Sequence, residues 1–113
     1  IDAVKDAGFK AARSIIEGFN FASGLDPYLL KWQGPEVTTT VGQMKSWIDE
    51  AMAKKGWLVL SFHEVNNSGT QYSTPIEDLA EVVQYLKSRN MRVVTVAEGV
   101  DALANAKISA LGR

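Results

Sequence analysis

Histidine occurs once in this chain. His63 follows the apolar run Trp57-Leu58-Val59-Leu60-Ser61-Phe62 and precedes Glu64. An imidazole changes charge near neutral pH, which suits it to give or take a proton. A lone His at a strand end also reads as a loop or packing residue, and spacing alone leaves both readings open. A catalytic zinc site usually takes three protein ligands and keeps one open position. This chain has no cysteine and no HxxxH or HxxE pair. Its carboxylates show no spacing that would bring two of them to His63, so no metal ligand is assigned. Trp32 is less committed to the core and could line a sugar site, while Arg13 reads first as a surface charge and second as a substrate contact. Trp47 and Trp57 read as core, Asp26 and Glu64 as solvated loop carboxylates. Asn66-Asn67-Ser68 fits a glycosylation sequon, which has meaning only on a eukaryotic secretory route.

The elements that would position these residues alternate between strands and helices. A short strand is expected within residues 8–16. Gly18, Asn20, Gly24, Asp26 and Pro27 then mark a loop. A second strand is expected over 28–33, closed by Gly34-Pro35. Thr40 and Gln43 have capping-box spacing. Met44, Trp47, Ile48, Ala51 and Met52 follow with the period of one buried helix face, stopped by Gly56. The run 57–62 has the composition of a strand buried on both faces, as in a parallel sheet. Residues 66–70 read as a loop. Thr74, Pro75 and Glu77 signal a helix start, with Ile76, Leu79, Ala80, Val83 and Leu86 as the apolar face and Asn90 as the end. Residues 91–97 read as a β-branched strand. Thr95 and Glu98 then open a last helix, whose Val100, Leu103 and Ala104 face inward.

Short connections between such elements imply parallel pairing with right-handed crossovers. The expectation is an α/β unit with about four parallel strands, near 8–14, 28–33, 57–63 and 91–97, and helices outside. Both a small open sandwich and a piece of a β/α barrel fit. In both, functional groups gather at the C-terminal ends of strands, where His63 stands. No internal linker divides residues 1–113, so a single unit is expected.

The chain has 113 residues, 46% of them hydrophobic, enough for a core of its own. Its 12 basic and 13 acidic residues leave a formal net charge of -1, which lacks the basic stripe of a nucleic-acid binder. No apolar run approaches the roughly 20 residues of a membrane span. No signal peptide is legible. The chain opens on Ile1 rather than Met, so a start further upstream is expected.

Several segments together resemble the C-terminal half of bacterial polysaccharide deacetylases, which remove acetyl groups from N-acetylated sugars. Gly8-Phe9-Lys10-Ala11-Ala12-Arg13 with Gly18-Phe19-Asn20 is similar to that family's Gly-aromatic-Lys-x-Ala-Arg … Gly-x-Asn stretch. Asp26-Pro27-Tyr28-Leu29-Leu30 and Thr38-Thr39-Thr40 fall where a subgroup has similar residues. Trp47-Ile48-Asp49-x-Ala51 resembles its helix. Trp57 through Val65 resembles its late strand ending in an active-site His. Tyr72-Ser73-Thr74-Pro75 and the stretch from Tyr85-Leu86 to Thr95-Val96 resemble its closing helix and strand. The resemblance spans nearly the whole chain and rests on order and spacing, not on one diagnostic motif.

The departures bear on function. Complete members carry Thr-Phe-Asp-Asp-Gly, which supplies a base and a metal ligand, and His-Ser/Thr-x-x-His, which supplies two further ligands. Neither occurs here. The family's Arg-Pro-x-Tyr segment is also missing, and Arg13 is not its arginine. Ser61 stands where the family often has Leu, and the Asp-Trp motif is not legible. Only His63 carries over. The resemblance implies a deformed β/α barrel of which this chain is half. It also implies a divalent metal, zinc first, in the complete domain and none held by this chain alone. In the family's reaction His63 would be the acid that protonates the departing amine, and Tyr72 or Trp32 would stack on the sugar ring. The implied partners are a carbohydrate polymer and either a missing N-terminal half or further copies of this chain, because half a barrel exposes sheet edges. An extracellular or cell-envelope location follows from the same resemblance.

Three readings remain at this stage. The chain is the C-terminal part of a metal-dependent deacetylase, inactive alone; or a non-catalytic half-barrel that binds carbohydrate or a partner; or an unrelated small α/β domain with a structural His63. The upstream coding sequence separates the first two: an Asp-Asp-Gly and a His-x-x-x-His there support the first, a start codon at this point the second.

Overall fold

The computed structural model describes the backbone of residues 1–111 and side-chain surroundings through residue 105. The elements run α1 (Asp2–Asp6), β1 (Arg13–Glu17), β2 (Leu30–Trp32), α2 (Val41–Ala53), β3 (Glu64–Val65), β4 (Ser73–Thr74), α3 (Ile76–Ser88) and α4 (Val96–Leu111). The architecture is mixed α/β, and its strands form two parallel pairs, β1 with β2 and β3 with β4.

Helix α2 forms where the periodicity places it. The Thr40 hydroxyl accepts a hydrogen bond from the Gln43 N–H at 3.1 Å, so one of the orphan donors of the first turn is satisfied. Met44, Ile48 and Ala51 are buried along one stripe. Together with Val82 of α3, Met44 and Ile48 make the core, and Trp47, Leu58, Leu60, Phe62 and Tyr85 pack around it. Helix α3 starts at Ile76, one residue later than expected: Pro75 stands at the cap position instead of in the first turn, and Thr74 does not cap it. The Ile76 N–H donates instead to Asn67 Oδ1 at 3.1 Å, from across the 66–72 loop. Its buried stripe is also rotated from the expected one. Val82 is buried, whereas Val83 is 52% exposed and Ile76 58% exposed.

The strands differ more. The first lies at Arg13–Glu17, C-terminal to most of the expected 8–14; a turn takes Ala7 and Gly8, and residues 9–12 form no strand. The expected 28–33 strand shortens to Leu30–Trp32. The run 57–62 forms isolated bridges instead of a continuous ladder: Trp57 pairs antiparallel with Asn20, and Leu60 pairs parallel with Gln33. It is half-buried, not buried on both faces, because one side lines an apolar cleft of about 440 Å³ between this run, α3, residues 91–96 and α4. Residues 91–95 form no strand. Thr95 and Glu98 instead close a capping box, in which Thr95 Oγ1 accepts from the Glu98 N–H and Glu98 Oε1 accepts from the Thr95 N–H, both at 3.2 Å. That cap takes Val96 and Ala97 into α4. Val100 is buried and Leu103 half-buried as expected, while Ala104 is exposed.

Asn20 stitches these pieces together. It is 5% exposed. Its Nδ2 donates to Lys31 O and its Oδ1 accepts from Lys31 N–H, each at 2.9 Å. Its backbone exchanges hydrogen bonds with Trp57 at 3.0 and 2.7 Å. A buried amide satisfied on both sides holds β2 and the start of the 57–62 run at a set distance. Among the described residues, no helix is long and apolar enough to cross a membrane.

Candidate functional site

The two parallel pairs set the positions of the chemistry-bearing residues. In the second pair Glu64 faces Ser73 and Val65 faces Thr74. His63 and Tyr72 are the residues immediately before these strands, so parallel register sets them side by side. A hydrogen bond from the Glu64 N–H to Tyr72 O, 3.2 Å, closes that end of the ladder. The two rings meet edge-on with centroids 5.4 Å apart. On the other side of His63, the Trp32 ring stands perpendicular at 6.3 Å. Trp32 reaches this point because Gln33, next to it, pairs in parallel with Leu60, three residues before His63. The first pair completes the row: β1 runs beside β2, and the Arg13 guanidinium lies over the Trp32 ring, 4.5 Å from its centroid. Contacts of this kind, an aromatic edge on a face and a guanidinium on an indole, contribute about 0.5–1.5 kcal/mol each.

Arg13, Trp32, His63 and Tyr72, the four residues singled out from the sequence, therefore form one continuous row drawn from four separate segments. His63, Tyr72 and Arg13 are exposed, while Trp32 is half-buried. The Trp32 indole N–H is buried and makes no hydrogen bond to the protein. Gly34 gives this ring its place. A Cβ on Gly34 would lie 1.9 Å from Trp32 Cζ3, so any side chain there collides with the indole.

The flanking carboxylates are engaged locally. Glu64 accepts a hydrogen bond from the Thr70 hydroxyl, and Asp26 accepts from the Tyr28 N–H at 2.9 Å in a turn. Among the described residues, no group of three or more His, Cys, Asp or Glu stands close enough to hold a metal ion. His63 with Glu64 alone does not make the three-ligand set that catalytic zinc takes.

Sequence reasoning passed over two residues that position the site. Asn67, read as part of a loop and of a glycosylation sequon, caps α3 and ties the loop between His63 and Tyr72 to that helix. Asn20, read as a loop marker and as part of the Gly18-Phe19-Asn20 resemblance, holds β2 and hence Trp32. Their type carried a signal, since Asn is suited to satisfying backbone groups outside its own element. Comparison with known proteins finds no family model, no curated protein and no solved structure that matches this chain.

Proposed function

We propose that this chain is the C-terminal part of a polysaccharide deacetylase, in which the Arg13–Trp32–His63–Tyr72 row receives an N-acetylated sugar and His63 acts as the general acid. One observation carries the reading: the chain's single imidazole stands exposed between two aromatic rings. Rings of that kind present apolar surface to the faces of a pyranose, and the imidazole between them is the one group in the row that can hand over a proton. When the amide C–N bond breaks, the electron pair goes to nitrogen, which needs a proton because an amide anion is too basic to leave. The His63 imidazolium supplies it. The zinc implied by the resemblance, and the base, would come from residues outside this chain, because no ligand set for such a site stands among the described residues. The succession β1, β2 and the 57–62 run, joined in parallel by β1–β2 and Gln33–Leu60, is the basis for reading the unit as one side of a β/α barrel.

The test is acetate release from chitin oligomers by the protein with its N-terminal half restored, divalent metal present. His63→Ala should lower kcat about 10²–10⁴-fold and leave KM nearly unchanged, since proton donation acts in the transition state. Full activity of that variant refutes the role of His63. Turnover by this chain alone, abolished by a chelator, refutes the ligand count.

The exposed rings on a unit without a ligand set favour one alternative, a carbohydrate-binding module with no catalysis. It predicts that the chain binds chitin oligomers and that the longer protein releases no acetate under any metal condition.

A further inference from the structure

The Arg13 guanidinium sits over the Trp32 indole, 4.5 Å from its centroid, and donates one N–H to Ser14 O at 3.1 Å. A guanidinium laid on an aromatic face keeps its donors at its rim, in the plane of the fork, where they meet a carboxylate two at a time. One of those donors goes to Ser14. Both contacts are made within the chain, and they hold the guanidinium in the row.

The stack changes what Trp32 offers a ligand. One face of the indole carries Arg13. The ring's N–H is buried, and the Gly34 backbone comes so close that a Cβ there would lie 1.9 Å from Cζ3. Arg13 is exposed while Trp32 is half-buried. At this end of the row a ligand meets the rim of a cation, not a bare ring. The row then continues from the indole to the His63 imidazole at 6.3 Å and on to the Tyr72 phenol at 5.4 Å.

Among the described residues, Arg13 makes no ion pair. Glu64, the carboxylate beside His63, accepts from the Thr70 hydroxyl instead. We propose that the row takes an acidic glycan: an N-acetylated sugar whose neighbouring unit bears a carboxylate, the carboxylate held by Arg13 while the N-acetyl group lies at His63. A neutral chitin chain leaves the rim of the guanidinium to water, whereas a uronic acid unit puts two oxygens against it. The inference rests on the reading of the row as a sugar site, and adds to that reading the charge of the substrate.

Titration calorimetry on this chain compares two ligands of equal length, chitotetraose and a hyaluronan tetrasaccharide, in which N-acetylglucosamine alternates with glucuronic acid. The acidic one should bind roughly threefold to tenfold more tightly at low salt, as an exposed charge-assisted pair allows. The gap should close at about 1 M salt, where the Debye length falls to about 3 Å. Arg13→Gln should remove the gap. Lys54→Gln, which makes the same change of net charge at the end of α2, away from the row, should keep it. Equal affinity of the unaltered chain for the two ligands overturns the proposal and leaves the sugar reading standing. A gap that persists in Arg13→Gln overturns it, since the preference then arises elsewhere. A gap lost in Lys54→Gln overturns it as well, since net charge alone then sets the preference. Binding of neither tetrasaccharide overturns the proposal together with the reading it rests on.

Discussion

His63 and Tyr72 are neighbours because each immediately precedes one strand of the same parallel pair, with Glu64 facing Ser73. The nine-residue step between them in sequence becomes a ring contact through backbone register. The Glu64–Thr70 hydrogen bond inside the loop supports it. If the pair of rings receives a sugar, Tyr72→Ala should weaken binding of a chitin oligomer by about tenfold. Because Tyr72 is 47% exposed, the same change should lower folding stability by only about 0.5–1.5 kcal/mol, the contribution of its edge contact with His63. Titration calorimetry and urea unfolding on one variant check both; a large stability loss with unchanged affinity would mark Tyr72 as structural.

Gly34→Ala should displace Trp32, because the added Cβ would sit 1.9 Å from Cζ3 and 2.7 Å from Cη2 of the indole. Forcing a ring out of a half-buried seat costs about 1–3 kcal/mol. The Arg13 stacking contact goes with it. Near-ultraviolet circular dichroism and urea midpoints report the two effects, and an unchanged aromatic spectrum would show that the backbone at Gly34 yields instead.

Asn20→Ala should destabilise the fold by about 1–3 kcal/mol, since it leaves both the N–H and the carbonyl of Lys31 without their partners. Loss of the side chain should also free Trp57 from its place opposite Asn20. Hydrogen exchange at the Lys31 and Trp57 amides tests this, with protection lost at both on substitution. Full protection at both would show that the pairing stands without the amide.

Acidification should act on α4 through Glu98. Hydrogen bonds from the Thr95 hydroxyl and N–H hold the Glu98 carboxyl below the usual carboxylate range. The folded state therefore favours the ionised form. Its contribution is present above the ordinary glutamate pKa and fades as pH falls through the lower folded value. The stability difference between the unaltered chain and Glu98→Gln should shrink from neutral pH to about pH 3, below the ordinary value. Urea midpoints at both pH values measure it, and a gap that ignores pH would remove the carboxylate from the account.

The helices were largely legible in the sequence. Thr40 with its apolar stripe identified α2, Pro75 identified the start of α3, and Thr95 with Glu98 identified the cap of α4. These signals are local: a cap satisfies donors within three residues, and a stripe repeats every turn. Even so, the same Thr95–Glu98 box drew Val96 and Ala97 out of the strand their β-branched neighbours implied. Periodicity also misplaced the buried side of α3 at Val83 instead of Val82, because Val82 and not Val83 packs on Met44 and Ile48.

The residue types of the site were legible as well, since a lone imidazole, an exposed Tyr, a Trp and an Arg are distinctive wherever they fall. That these four form one row was decided by tertiary structure. The row depends on the registers of β1 with β2, of Gln33 with Leu60 and of β3 with β4. A slip of one residue in any of them would turn a ring to the opposite face. Register is set by long-range groups such as the Asn20 amide and the space at Gly34. Composition and periodicity carry no record of which distant backbone a side chain will meet.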